Sequence, residues 1–240
     1  MSLPNDAVLF APAKLTVDLR VTGLRDDGMH LIDAEMVTLD FGDELSIGPG
    51  SGVRYRGAWT GEGGEDDLVS RALALVGEQR HVEVTKRIPA GAGLGGGSAD
   101  AAAILRAAGF DDLEAAARLG ADVAFCLVGG RAQVSGIGEV IEPLPFVERT
   151  YTLLTPPLHC STPAVYRAWD DMGGPQGDNG NDLEPAALVV EPELAEWRDK
   201  LSDHAGTRAR LAGSGSTWFV EGAYAGEGFV VARTTPPEIA

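Results

Sequence analysis

"KRIPAGAGLGGGSADAAAIL", residues 86–105, places glycine at 91, 93, 95, 96 and 97 and then runs directly into an alanine-rich stretch. Glycine is costly to order, so a cluster of this kind marks a point where the backbone itself must come close to something. Alanine is the best helix former, so a helix is expected from Ser98, acting as its cap, to about Ala108. The head of a helix carries unpaired N–H groups and the positive end of the macrodipole, which together seat phosphate. The stretch therefore reads as a phosphate cradle made of main chain. The competing reading is a glycine-rich turn whose small residues only let helices pack tightly.

Two familiar phosphate loops do not fit. The pattern G-x-x-x-x-G-K-[ST] fails because Gly97 stands where the lysine before Ser98 would be. Gly91, Gly93 and Gly96 match G-x-G-x-x-G, but a dinucleotide fingerprint needs a second strand ending in an acidic residue about twenty positions on. Asp111 and Asp112 have that spacing and instead open another helix, ending near Gly120.

Upstream of the loop, "HVEVTKRIP" reads as a strand stopped by Pro89, and the acidic start and helical spacing of "DDLVSRALALVGEQR" predict a helix over 67–79. Residues 8–21 read as a strand pair or one long strand, in which Leu15, Val17, Leu19 and Val21 alternate with Lys14, Thr16, Asp18 and Arg20, so Lys14 and Thr16 share one strand face. The turn "GLRDDGMH" and more strand material follow. Downstream, "AFCLVGGRAQVSGIGEVIEPLP" reads as strands broken by glycine turns. Proline and charge thicken around "EPLPFVERT", which puts a boundary between lobes at 1–148 and 149–240. Beyond it come a strand "YTLLTPP", a helix "STPAVYRAWDDM", a loop "GGPQGDNGN", a helix "ELAEWRDKLSDH" and the strand–turn–strand "ARLAGSGSTWFVEG". Mixed pieces of this kind favour an α+β or α/β fold with two lobes.

Composition narrows the function classes. The chain has 240 residues, 44% hydrophobic and 23% charged, as expected of a globular protein. A net charge of −17 argues against partners that need a basic footprint, so neither nucleic acid nor an anionic membrane is expected. Arginine outnumbers lysine sixteen to three, and two of the three lysines, Lys14 and Lys86, fall in the stretches richest in chemistry. Cys126 and Cys160 lie far apart without metal-ligand spacing, no basic leader opens the chain and no run reaches transmembrane length. A reduced cytoplasm is the expected compartment.

Pro89 followed by "GAGLGGGSADAA" resembles the P-x-G-x-G-L-G-S-S-A-A loop of the GHMP kinases, the family of galactokinase, homoserine kinase and mevalonate kinase. The triple glycine is most like the branch acting on diphosphocytidyl methylerythritol in non-mevalonate isoprenoid synthesis. The resemblance runs along most of the chain: "APAKLTVDLRVTGLRDDGMHLI", "DDLVSRA", "LGADVAFCLVGGRAQVSGIGE", "TPAVYRAWD", "NDLE" and "AGSGSTWF" fall in the family's order.

That resemblance implies an α+β, two-lobed fold: an N-terminal ribosomal protein S5 domain 2-like lobe and a C-terminal ferredoxin-like α/β sandwich. It implies an ATP-dependent kinase with Mg2+ and a small-molecule alcohol as partner, working as a monomer or weak homodimer. Lys14 and Asp122 would be the catalytic pair. Asp67 and Lys86 would lie near the adenine, and Pro89, Gly91, Gly93, Leu94, Gly95, Gly96, Gly97 and Ser98 would hold the nucleotide. Thr16, Met29, His30 and Tyr166 would meet the acceptor, with His30 on the cytosine and Tyr166 stacked on it. Gly213, Ser214 and Gly215 would close the site. Ser98 is the candidate metal ligand, the full set being unknown.

Four positions depart from the family pattern: Thr16 and Asp67 stand where it has asparagine, Met29 where it has tyrosine and Ala99 where it has the second serine. Two other readings stay open, a related kinase with a different hydroxyl acceptor and a nucleotide-binding relative without turnover. Taken singly, Lys14 could be a solvated strand lysine, Asp122 a helix cap, and His30 or Tyr166 ordinary packing.

Overall fold

The computed structural model describes residues 3–4, 6–58 and 60–237. Two long strands, β1 (Ala7–Leu24) and β2 (His30–Gly48), form an antiparallel hairpin around the turn at residues 25–29. Beside β2 the sheet continues through β3 (Gly52–Gly57), β4 (Gly61–Glu62), β5 (His81–Lys86), β6 (Arg131–Gly136) and β7 (Val140–Pro143), in the order β4-β3-β5-β2-β6-β7, with only β3 and β5 parallel. A second, four-stranded sheet runs β11-β8-β10-β9, from β8 (Thr150–Leu154), β9 (Arg210–Leu211), β10 (Trp218–Glu221) and β11 (Val230–Arg233). The fold is α+β and two-lobed.

In the first lobe the helices are α1 (Leu68–Leu75), α2 (Gly96–Ala107), α3 (Leu113–Leu119) and α4 (Val123–Val128). α2 is buried along most of its length through Ala99, Ala101, Ala102, Ala103, Ile104 and Leu105; small side chains let it lie close to its neighbours, and alanine gives up no rotamer entropy on burial. The second lobe carries α5 (Thr162–Asp171), α6 (Glu184–Val190) and α7 (Leu194–Ala205).

β1 is one long strand that shifts register against β2 at three places, and around Lys14 both of its faces are covered. Ala13, Leu15 and Val17 pack with Leu94 of the glycine loop and with Leu153 and Phe219 of the second sheet, so this apolar cluster joins the two lobes. Lys14 and Thr16, on the polar face, are nonetheless buried. Several expectations need correction. α2 begins at Gly96 with Gly95 at its cap position, which leaves Ser98 inside the first turn. Residues 124–128, read as strand, belong to α4: so short an apolar run has no period long enough to separate the two states. α1 ends at Leu75, four residues short of 79. α6, β3, β4 and β11 had no strong periodic signal.

Candidate active site

Lys14 enters the site from the middle of β1. Its ammonium lies 3.1 Å from Asp122 Oδ2 and donates to Thr16 Oγ1 at 3.0 Å. Asp122 precedes α4 but makes no side-chain capping bond, so its carboxylate is left to face the lysine. The Lys14 side chain is 7% exposed and that of Asp122 30%, which puts the charge pair at a cavity wall.

The glycine loop wraps this pair. A Cβ at Gly95 would sit 2.7 Å from Lys14 Cγ, and the residue holds φ +69°, so both space and backbone demand glycine there. At Gly93 a Cβ would lie 2.6 Å from the carbonyl oxygen of Ala212, because second-lobe backbone rests on the loop. The loop is pinned from both sides: Lys14 N–H donates to Leu94 O and Thr217 N–H to Ala92 O, each at 3.1 Å. Ala99 N–H is the first α2 amide to bond back, to Gly95 O at 2.8 Å, which leaves the head of the helix for a ligand.

Two cavities meet at this loop. One, of about 510 Å³, is lined by Lys14, Thr16, Met29, His30, Asp122, Tyr166, Gly213 and Ser214 as well as Gly93 and Gly95. The other, of about 390 Å³, runs from Tyr55 and Asp67 past Lys86 and Pro89 along residues 90–98. Gly215 lies in a shallower depression with Gly91, Gly93 and His159. The expected site residues, which run from Lys14 to Gly215 in the chain, are thus gathered around one loop.

Within the second cavity two of the expected contacts are already engaged. Asp67 caps α1 through Ser70 N–H at 3.0 Å and accepts the Tyr55 hydroxyl on its other oxygen. Burial and that bond push the Tyr55 phenol far above its ordinary range. The Lys86 ammonium is held between Asp43 and Asp100, with Asp100 Oδ2 at 2.7 Å. Asp43 also accepts the Ile88 N–H at 2.8 Å. Burial works to lower the Lys86 pKa, but the two carboxylates outweigh it and the value is raised. Burial lifts Asp100 to about 7 against the pull of Lys86.

At the far end of the larger cavity the His30 ring stacks on Tyr166, centroids 4.6 Å apart, and its Nε2 lies 2.8 Å from Asp170 Oδ1. Burial pushes the Tyr166 phenol up to about 12 and keeps it neutral. Met29, beside the histidine, is 47% exposed at the lip. From the second lobe, Asn181 donates to Leu211 O at 2.8 Å and Gly213 O at 2.7 Å, while Ser214 Oγ and Thr162 Oγ1 lie 2.7 Å apart.

The sequence reading missed Asp43, Asp100, Asn181 and Asp170. Asp100, Asn181 and Asp170 fall inside the quoted motifs "GAGLGGGSADAA", "NDLE" and "TPAVYRAWD", and Asp170 also stands four residues after Tyr166 on one helix face, whereas Asp43 had no local signal. Among the described residues no group of three or more His, Cys, Asp or Glu could hold a metal ion, and no helix is long and apolar enough to cross a membrane.

Main chain aimed at phosphate, with a buried cation and a carboxylate at its edge, suits phosphoryl transfer to a hydroxyl, and the frame narrows the class to two-lobed small-molecule kinases. The family model "GHMP kinases N terminal domain" matches residues 67–130. The 4-diphosphocytidyl-2-C-methyl-D-erythritol kinase of Paracoccus denitrificans is 38% identical over 235 residues, 87% of this chain and 84% of that protein. The enzyme of the same name from Desulfitobacterium hafniense is 34% identical over 254 residues, 90% of this chain and 87% of that protein. A crystal structure of a 4-(cytidine 5'-diphospho)-2C-methyl-D-erythritol kinase superposes with a TM-score of 0.75 at 30% identity, covering 95% of this chain and 99% of the other. Homoserine kinase from Cytophaga hutchinsonii shares the fold, with a TM-score of 0.61 at 18% identity, covering 99% and 96%. The chain belongs to the GHMP kinases, in the 4-diphosphocytidyl-2-C-methyl-D-erythritol kinase family.

Proposed function

We propose that the protein transfers the γ-phosphoryl group of ATP to the 2-hydroxyl of 4-diphosphocytidyl-2-C-methyl-D-erythritol, a step of non-mevalonate isoprenoid precursor synthesis in the cytoplasm. The observation that carries this reading is the 3.1 Å Lys14–Asp122 pair beside Gly93 and Gly95, which line both cavities. In this reading residues 1–148 form the nucleotide lobe and 149–240 the smaller lobe that closes over it.

Asp122 orients the acceptor hydroxyl and takes its proton as the new P–O bond forms. Phosphoryl transfer proceeds through a loose transition state in which alignment and charge stabilisation do most of the work. Lys14, whose side chain is 7% exposed, pairs with Asp122 and faces the charge on the transferring oxygens, where low exposure strengthens its pull. The amides at the head of α2 take the phosphates, with the nucleotide lying along residues 89–98 toward Asp67 and Lys86. The loop turn at Gly213, Ser214 and Gly215 covers them. Thr16 and Met29 border the methylerythritol and cytidine parts, His30 meets the base, and Tyr166 gives it a stacking surface.

Magnesium fits this donor set in one way. It binds through few protein ligands and many phosphate and water oxygens, so the absence of a carboxylate cluster among the described residues is compatible with it. Ser98, facing the nucleotide cavity in the first turn of α2, would hold it. When bound, the ion neutralises phosphate charge.

Release of ADP, followed with the diphosphocytidyl alcohol present and absent, tests the proposal. Turnover that depends on that alcohol supports it. Turnover only with other hydroxyl compounds would move the assignment to another acceptor, a reading motivated by Thr16 and Met29 at the acceptor end.

A further inference from the structure

The helix α5 runs along the larger cavity from one end to the other. At its first residue Thr162 Oγ1 lies 2.7 Å from Ser214 Oγ, next to Gly213, where a Cβ would sit 3.9 Å from Lys14 Nζ. Near its last, Asp170 meets His30 at 2.8 Å. Eight residues of helix, about 12 Å, separate these two ends. Thr162, Pro163, Tyr166, Arg167 and Asp170 line the cavity between them. The charged side chains of the whole lining are Lys14, Asp122, Arg167 and Asp170. Lys14 is taken by Asp122, and Asp170 by His30. Arg167 is exposed at the rim, and among the described residues it has no hydrogen bond or ion pair. Asp170 and Asp171 follow it by three and four residues, the spacing of helical ion pairs, yet neither pairs with it.

We propose that Arg167 binds the diphosphate bridge of the acceptor and makes the cavity selective for a nucleoside diphosphate ester over an uncharged alcohol. This rests on the reading of the cavity as the seat of a diphosphocytidyl alcohol. A molecule that puts its hydroxyl at Asp122 and its base at the far end has its phosphates in between, alongside Arg167. That bridge brings negative charge into a chain of net charge −17, beside the polyphosphate on the glycine loop, so a cation must offset it. Lys14 is committed to Asp122, and the amides at the head of α2 serve the nucleotide, which leaves the guanidinium. Its planar fork of N–H groups matches two oxygens of one phosphate and stays charged at every working pH. An unpaired arginine on a helix is ordinarily a solvated charge; this one stands between the two ends of the cavity and leaves its helical acids unused.

The test measures CDP binding by calorimetry, with ADP saturating the nucleotide seat, for the full chain and for Arg167→Gln and Arg167→Lys at low and at raised salt. Arg167→Gln is expected to bind CDP about tenfold more weakly than wild type at low salt. Arg167→Lys, which keeps the charge without the fork, falls between the two. Raised salt narrows the gap, because a charge contact at an exposed rim is screened, while ADP binds all three alike. In turnover, KM for the diphosphocytidyl alcohol rises about tenfold in Arg167→Gln and kcat changes by less than about twofold, as expected when binding alone is lost. CDP affinity of Arg167→Gln within about twofold of wild type would show a solvated charge and overturn the inference. A gap that salt does not narrow, or a wild type that does not bind CDP, overturns it as well. Salt-sensitive CDP binding that depends on Arg167, without phosphorylation of the cytidine alcohol, leaves the inference standing and overturns the proposed function instead.

Discussion

Asp122 carries the sharpest single-residue expectation. Replacing it with asparagine keeps the shape and removes the proposed proton acceptor, so turnover is expected to fall by roughly 10²- to 10⁴-fold with the far-UV spectrum unchanged. Undiminished kcat would remove Asp122 from the mechanism. Gly95 is the second. An alanine there would push against Lys14 Cγ, 2.7 Å from the added carbon, in a backbone conformation that L-residues avoid. Gly95→Ala is expected to lower kcat/KM for ATP by about tenfold or more, since a small misplacement of the lysine costs alignment; single-turnover kinetics with and without saturating ATP would register it. The sequence made both residues legible, because each sits in a motif of fixed spacing. It did not make the partners legible: nothing local connects Lys14 with Asp122, and Asp43 and Asp100 are fifty-seven positions apart in a chain rich in acids.

The strand β5 and the helix α2 are joined through the Lys86 ammonium, which Asp43 and Asp100 clamp on either side. Lys86→Met would leave two carboxylates buried without a counter-ion, and breaking a buried pair in this way costs about 3–5 kcal/mol. Urea unfolding at neutral pH measures the loss; a variant within about 0.5 kcal/mol of wild type would mean that water reaches these acids. Element identity was readable wherever the pattern was long. Residues 14–21 of β1 alternate in polarity, and the alanines after the glycine loop select α2. The helix head was misjudged by three residues because Ser98 is a better intrinsic cap than glycine, yet the close passage of Lys14 requires Gly95 at that place. Short elements such as α4 and β11 take their state from neighbours, which no local pattern records.

Across the whole molecule, Glu35 ties β2 to both sheets. It accepts from Arg131 Nε at 2.8 Å and Arg131 Nη2 at 3.1 Å, and Arg149, next to β8, approaches to 3.6 Å. Arg131 is the chief cause of a lowered Glu35 pKa. A carboxylate with a depressed folded value contributes stability above the ordinary range of about 4.3 and loses it as pH falls through the folded value. Glu35→Gln is expected to cost about 1–2 kcal/mol at pH 7, and the gap to wild type is expected to close below about pH 4, as followed by denaturant midpoints. The two-lobed plan could be anticipated from motif order, but the apolar cluster that joins the lobes could not, since its members come from β1, the glycine loop and β10.

The bond from Thr217 to Ala92, together with second-lobe carbonyls resting on Gly93, makes the glycine loop a pin shared by both lobes as well as the proposed nucleotide seat. Prising the halves apart would bare the loop, so cohesion of the molecule and occupancy by nucleotide are linked quantities. Heating is therefore expected to give one cooperative melting transition, moved upward as a whole by ATP, with no stage at which the smaller half comes loose alone.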